Sequence, residues 1–208
     1  MSQIENNLKQ CLQTCETGDL ILFSTNKWYS DFIKLGTYSK ITHCGIIIKS
    51  PTWIDQSLND LYLLESGKEP FVDVIDNKIH FGVEMVPLIN VINNYKQNKL
   101  GQVFYRKLNC DRNEQFYSLL KKTINECKGK PYNKNPLDWI EALLGFYFYD
   151  KKITSRFWCS ALVSYIYVKT LIIKEEIDWS LIPPKYYSSS NKIDFINGSS
   201  MDQEIKII

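Results

Sequence analysis

The sequence predicts an α+β fold, an antiparallel sheet or small barrel packed against helices, with a cysteine at a helix N-terminus. Three observations carry this. Short apolar runs succeed one another through the first half of the chain, at residues 20–23, 41–48, 61–64, 82–88 and 102–108. They are of strand length and are bounded by turn residues. Stretches with apolar residues at helical spacing follow, at 113–128 and 159–173, and strands followed by helices are the pattern of an α+β domain. The second of these stretches begins with Cys159 straight after a polar break, Asp150 to Ser155.

With 208 residues the chain can bury a sizeable core as one domain. Its 44% apolar and 23% charged residues are ordinary for a globular protein, and a net charge of +2 gives no argument for a nucleic-acid partner. The first ten residues are polar and lack the apolar segment of a signal peptide. The expectation is therefore a cytoplasmic protein, or host cytoplasm or virion for a viral one, with its six cysteines reduced. There is no Cys-x-x-Cys pair, so no metal and no cofactor is expected. No apolar run reaches the ~18 residues of a membrane span.

In order, residues 1–15 read as a helical lead-in with Leu8, Cys11, Leu12 and Cys15 on one face. A turn at Glu16-Thr17-Gly18-Asp19 leads to the first strand. Trp28, Phe32, Ile33 and Leu35 then mark a helix that Gly36 ends. His43 opens the next strand, whose run of isoleucines is β-branched, and Gly45 allows close backbone approach. Residues 61–67 read as another strand ending in a turn, with Glu65 near the strand end. The strand at 82–88 alternates enough to suggest one wet face, and His80, just before it in a polar turn, reads as exposed. A polar helix at 91–98 and a strand at 102–108 follow. Phe116, Leu119, Leu120 and Ile124 line one face of the helix that Gly129-Lys130-Pro131-Tyr132 stops. The apolar stretch 137–148 is too short to span a bilayer; core packing is its default, an acyl-pocket wall or a membrane-touching patch the alternative. The Cys159 helix should bury one face, through Leu162, Val163, Ile166 and Thr170. Residues 181–187 form an extended closing segment, and loops follow from Ser188. The division is thus a lead-in (1–15), one domain (16–190) and a C-terminal tail (191–208).

A thiol in the first turn of a helix lies among unpaired N–H groups whose positive partial charge favours thiolate. A nucleophile also needs a base, and the chain has only two histidines. His43, at the start of an apolar strand, is the better placed. Glu65 follows apolar and aromatic residues, where a charge is costly unless paired, and it can accept the second N–H of that imidazole. Glu69 and Asp73 are weaker rivals. The plain alternatives are a buried structural cysteine, an ordinary hydrogen-bonded histidine and a solvated strand terminus.

Together, Thr17-Gly18-Asp19-Leu20-Ile21, Thr42-His43-Cys44-Gly45-Ile46 and Trp158-Cys159-Ser160-Ala161-Leu162-Val163 resemble the circularly permuted papain-like cysteine hydrolases. These are the YiiX-like branch of the NlpC superfamily, related to lecithin–retinol acyltransferases and to a poxvirus protein group. Glu65-Ser66, the run from Gly82 to Leu88, the Gly129–Tyr132 turn and Ile182-Pro183-Pro184 also match, over residues 16–190. The resemblance implies Cys159 as nucleophile, His43 as base and Glu65 as the polar third member. It implies a papain-like fold cut so that the histidine precedes the cysteine. A glutamate rather than a second histidine favours the YiiX-like branch. Cys44 should alternate to the strand face opposite His43.

The expected activity is that of a cysteine-dependent hydrolase or acyltransferase working through an acyl-enzyme on an amide, thioester or ester. Its substrate would be peptide-like or acyl/lipid-like, and the first oxyanion donor would be the Cys159 N–H, with a second near Asp19 or Tyr38. Trp28, Trp139, Phe146, Phe157 and Trp158 lean towards an apolar acyl group. The competing readings are a catalytically silent fold used for binding, and a redox or metal protein using the cysteines. Substrate identity and oligomeric state are left open by the sequence.

Overall fold

The computed structural model describes residues 2–25, 40–133, 154–176, 178–190 and 193–208. The helix expected at 24–39 and the apolar stretch 137–148 lie outside the described residues, except for the first two positions of the former. Those two, Ser24 and Thr25, continue a strand.

An antiparallel sheet forms the frame. β1 (Leu20–Thr25) lies between β2 (His43–Lys49) and β5 (Gly101–Arg106). β2 pairs with β3 (Leu61–Gly67), and β3 with β4 (Gly82–Pro87). A short strand near the C-terminus, β8 (Ile205–Lys206), adds to β5, so that the order is β4-β3-β2-β1-β5-β8. β6 (Leu108–Asn109) and β7 (Ser200–Met201) make a separate small ladder.

Successive strand side chains point to opposite faces, and here both faces are covered. Leu20, Leu22, Cys44, Ile46, Ile48, Leu64 and Met85 join a core with α3 (Glu114–Cys127) and α4 (Cys159–Lys169). Ile21, Phe23, Ile47, Leu63, Val86 and Val103 meet α1 (Gln3–Thr14) and α2 (Leu88–Asn98) on the other face. Two covered faces explain why the central strands are apolar without a break. They also correct the wet face expected for β4, where all of Gly82 to Val86 is buried. The "polar" helix starts earlier than expected, at Leu88, and seats Leu88, Val91, Ile92 and Tyr95 in that second core.

Two of the helix starts have a local side-chain cause. Ser2 and Glu5 form a reciprocal capping box on α1. Asn113 accepts the Phe116 N–H and caps α3. α4 differs: its N-cap is Trp158, which makes no side-chain cap bond. It was expected to bury one face but is buried all round, every residue from Cys159 to Val168. A helix apolar on all sides belongs inside the molecule. It ends at Lys169, short of the expected 173, and Leu171 follows in a left-handed conformation at φ 61°.

Two sets of contacts tie α4 to the sheet. The segment before it is stitched to β4 through residues 130–133. Val83 N–H donates to the Lys130 carbonyl at 2.8 Å, Phe157 N–H to the Pro131 carbonyl at 3.2 Å, and Asn133 N–H to the Phe157 carbonyl at 2.9 Å. Gly82 makes the first of these close approaches feasible: a Cβ there would sit 2.1 Å from the Lys130 carbonyl oxygen. From β3, Ser66 Oγ donates to the Phe157 carbonyl at 2.7 Å. Farther along the helix, the buried Tyr167 hydroxyl donates to the Gly18 carbonyl at 2.6 Å.

Candidate active site

The structure brings together all three residues singled out in the sequence. His43, the first residue of β2, points its Nε2 at Glu65 Oε2, and the two form a close ion pair. Glu65 is 1% exposed and sits within β3, which runs on to Gly67; it is neither solvated nor at a strand end. Cys159, the first residue of α4, is 5% exposed and interacts directly with the His43 ring. Since Nε2 is engaged by Glu65, Nδ1 is the ring nitrogen left for the thiol.

Glycines make the room. A Cβ on Gly45 would come 2.8 Å from Leu63 Cδ1 and 3.1 Å from Glu65 Cβ. A Cβ on Gly67 would lie 2.9 Å from Glu65 Oε1 and 3.2 Å from His43 Cε1. Phe23, opposite His43 in the ladder, packs its ring at 5.4 Å from the imidazole and closes one side.

The electrostatics favour charge separation. The Cys159 thiol is held well below its usual pKa, first by a hydrogen bond from Cys44, then, against the cost of burial, by the charge and hydrogen bond of His43. Burial would push His43 down, yet its pKa is raised well above the ordinary value, because the charges of Glu65 and Cys159 and their hydrogen bonds outweigh that cost. Cys44 moves the other way: burial first, then the neighbouring Cys159, push its thiol up. The opposite directions make Cys44 the donor and Cys159 the acceptor where the two thiols meet. This changes the expected part of Cys44. It does alternate into the α3/α4 core, but that is the face on which Cys159 lies, so the two thiols are neighbours. Its position directly after His43 was the available signal.

The other candidates lie elsewhere. Glu69 N–H donates to Glu84 Oε1 at 2.8 Å, and Glu69 does not replace Glu65 at the imidazole. His80 is half-buried, not exposed as expected. Its Nε2 lies 2.9 Å from both Asp76 oxygens and 3.7 Å from Asp73 Oδ2. Asp73, Asp76 and His80 are, among the described residues, the group whose ligand atoms lie close enough to share a metal ion. Asp19, expected near a second oxyanion donor, is fully buried and spends its carboxylate on the scaffold. It accepts from Tyr105 Oη at 2.6 Å, Leu108 N–H at 2.9 Å, Arg112 Nη2 at 3.0 Å and Glu16 N–H at 2.9 Å. Tyr38, Trp28, Trp139 and Phe146 lie outside the described residues. Phe157 and Trp158 are both buried just before Cys159 in sequence, and Phe157 packs on Tyr165 and Trp179.

Layers, sheet and helices define a mixed α+β fold of the YiiX-like kind. Among solved structures the chain is similar to the crystal structure of metalloprotein yiiX from Escherichia coli O157:H7, DUF1105, with a TM-score of 0.51 at 20% identity. The likeness covers 76% of this chain and 67% of that one, and at this identity it speaks to the fold. No protein-family model matches the chain, and no curated protein matches it. Among the described residues, no helix is long and apolar enough to cross a membrane.

Proposed function

We propose that the protein is a cysteine-dependent hydrolase or acyltransferase of the permuted papain-like type, on the YiiX-like branch of the NlpC superfamily and related to the lecithin–retinol acyltransferases. Cys159 is the nucleophile, His43 the base and Glu65 the residue that orients the imidazole. The supporting observation is the polarised contact itself: a thiol pushed down in pKa beside an imidazole pushed up, which is in turn seated on a buried glutamate.

The thiolate attacks the carbonyl carbon of an amide, thioester or ester, and the carbonyl oxygen takes up the negative charge. The first-turn N–H groups of α4, with no side-chain cap, are the natural donors to that oxygen. Imidazolium protonates the leaving group as the acyl–sulfur bond is made and the old bond breaks. Imidazole then removes a proton from water, or from an acceptor alcohol or amine, whose oxygen or nitrogen takes the acyl group as the sulfur leaves as thiolate, which restores the thiolate–imidazolium pair. Glu65 keeps the ring in register throughout and stabilises its cationic form.

The test is intact-mass and peptide mass spectrometry after exposure to a panel of activated acyl esters, thioesters and peptide amides. The expected result is one acyl adduct, on Cys159, formed faster in the wild type than in Glu65→Gln by about tenfold or more, with a measurable remnant in the variant. No adduct on Cys159, with alkylation there no faster than at an exposed reference cysteine, would favour the silent binding fold instead.

A second reading has its own observation. The similar structure is titled a metalloprotein, and an imidazole with two carboxylates (Asp73, Asp76, His80) is a donor set suited to a divalent transition metal. In this chain His80 is already engaged by Asp76, and the cluster does not include Cys159, His43 or Glu65. Metal bound by the purified wild type and lost in His80→Ala would support this reading; equal metal content in the two would remove it.

A further inference from the structure

Behind the His43–Glu65 pair stands a second carboxyl group. Glu84 on β4 is directly opposite Glu65 in the antiparallel register, so both side chains leave the sheet on the same face, close enough to touch. Both are buried, at 0% and 1% exposure. Of their four carboxyl oxygens, two have partners. Glu65 Oε2 meets His43 Nε2, and Glu84 Oε1 accepts the Glu69 N–H at 2.8 Å. The other two, Glu65 Oε1 and Glu84 Oε2, are buried without any among the described residues. An unpaired buried carboxylate oxygen is costly, and two facing ones are costlier. A single proton shared between them satisfies both.

We propose that Glu84 is held as the neutral acid and donates its Oε2–H to Glu65 Oε1, so that it acts as a positioning residue fixing Glu65 against His43. The proposal rests on the Cys159–His43–Glu65 reading of the site and adds to it a fourth residue on a fourth element. Glu65, not Glu84, keeps the negative charge because it is the one that faces the imidazolium. The groups acting on Glu84 agree. Burial pushes its pKa up most, the charge of Glu65 and its hydrogen bond push it further, and the charge of Glu69 adds to both; the Glu69 N–H alone opposes, giving a value of about 9. From α2, Asn94 reaches this corner with its Nδ2 at 3.5 Å from Glu69 Oε2. Across Glu65 the cation is His43. With Glu84 neutral, the buried site carries a thiolate, an imidazolium and one carboxylate. A second carboxylate would have no cation of its own among the described residues.

Two substitutions separate the donor from the mere filling of space. In Glu84→Gln, the amide oxygen can still accept from Glu69 N–H and the amide nitrogen can donate to Glu65. Glu84→Leu keeps bulk and removes the donor. Infrared difference spectroscopy of the wild type against Glu84→Gln should show one protonated carboxyl band at neutral pH, lost in the variant and titrating in the alkaline range in the wild type. The His43 imidazole, followed by NMR, should titrate in Glu84→Gln as in the wild type but at lower pH in Glu84→Leu. Iodoacetamide alkylation of Cys159 at pH 6 should be within about twofold of wild type in Glu84→Gln and about tenfold slower in Glu84→Leu.

Absence of the carboxyl band overturns the proposal, and needs only the wild type and the glutamine variant should the leucine variant fail to fold. A band present with unchanged His43 titration in a folded Glu84→Leu overturns the positioning role. Failure of the enzyme reading would show differently: wild-type Cys159 would alkylate like an ordinary thiol, whatever the infrared band does.

Discussion

Cys159→Ala and His43→Ala are each expected to abolish acyl transfer, by about 10⁴-fold or more, because nucleophile and base act as one unit. The more discriminating expectation is a pH profile. In the wild type the thiolate form is favoured down to acidic pH, since Cys159 is held well below the usual thiol value and His43 well above the usual imidazole value. A lowered thiol pKa moves the reactive form's onset towards acid. Alkylation of Cys159 should therefore stay level from pH 8 to about 6, where a free thiol of pKa about 8.5 loses about tenfold per unit. Removing the His43 cation leaves the buried thiolate with the Cys44 hydrogen bond but no counter-charge. Its pKa rises, and the level region becomes a slope. At pH 6 the variant should react at least about tenfold more slowly, after allowance for the weaker intrinsic nucleophilicity of a low-pKa thiolate. A His43→Ala profile that overlays the wild type would remove the base from this assignment. Cys44→Ala should also shift the profile in the same direction, because it removes the thiol hydrogen bond that is the first cause of the lowering, while it keeps the cation.

The strands that carry the site were legible because each is a short apolar run beginning or ending at a chemically distinctive residue. His43 at the head of β2 and Cys159 at the head of α4 are such residues, and their meeting needed only that helix and strand pack end to end. Glu65 was legible by the cost of a charge after apolar neighbours. The same rule, applied to Glu84 between Val83 and Met85, would have found the second carboxyl group. It was hidden by reading β4 as a strand with a wet face, when α2 covers that side. Local sequence cannot say whether a second layer exists, since that depends on a helix packing back across the sheet. The same blindness affected α4, whose one apolar stripe was visible while its burial on all sides was not. β8 was not read as a strand either. Two paired residues in so short a run carry too little periodicity to show, and what defines them is β5 beside them.

Asp19→Ala is expected to be the most damaging single substitution away from the site. The carboxylate gathers donors from three directions: the Tyr105 hydroxyl on β5, the Leu108 N–H on β6, and the Arg112 guanidinium, besides its own turn at Glu16. Burial raises its pKa, and the hydrogen bonds and the Arg112 charge oppose that rise without overcoming it. Removing the carboxylate leaves a half-buried arginine without its ion pair and two buried donors without acceptors. Such losses cost about 3–5 kcal/mol, equivalent to about 6–20 °C in Tm for a domain of this size. Asp19→Asn should cost less, about 1–3 kcal/mol, because one oxygen remains while the amide nitrogen meets the Glu16 N–H, which it cannot satisfy. Thermal unfolding of the two variants against the wild type checks the order. The same variants decide what Asp19 is for. If it is scaffold, the folded fraction of Asp19→Asn should alkylate at Cys159 with the wild-type pH profile and form the acyl adduct at the wild-type rate. A large loss of acyl transfer with little loss of stability would instead return the turn at Asp19 to the oxyanion site.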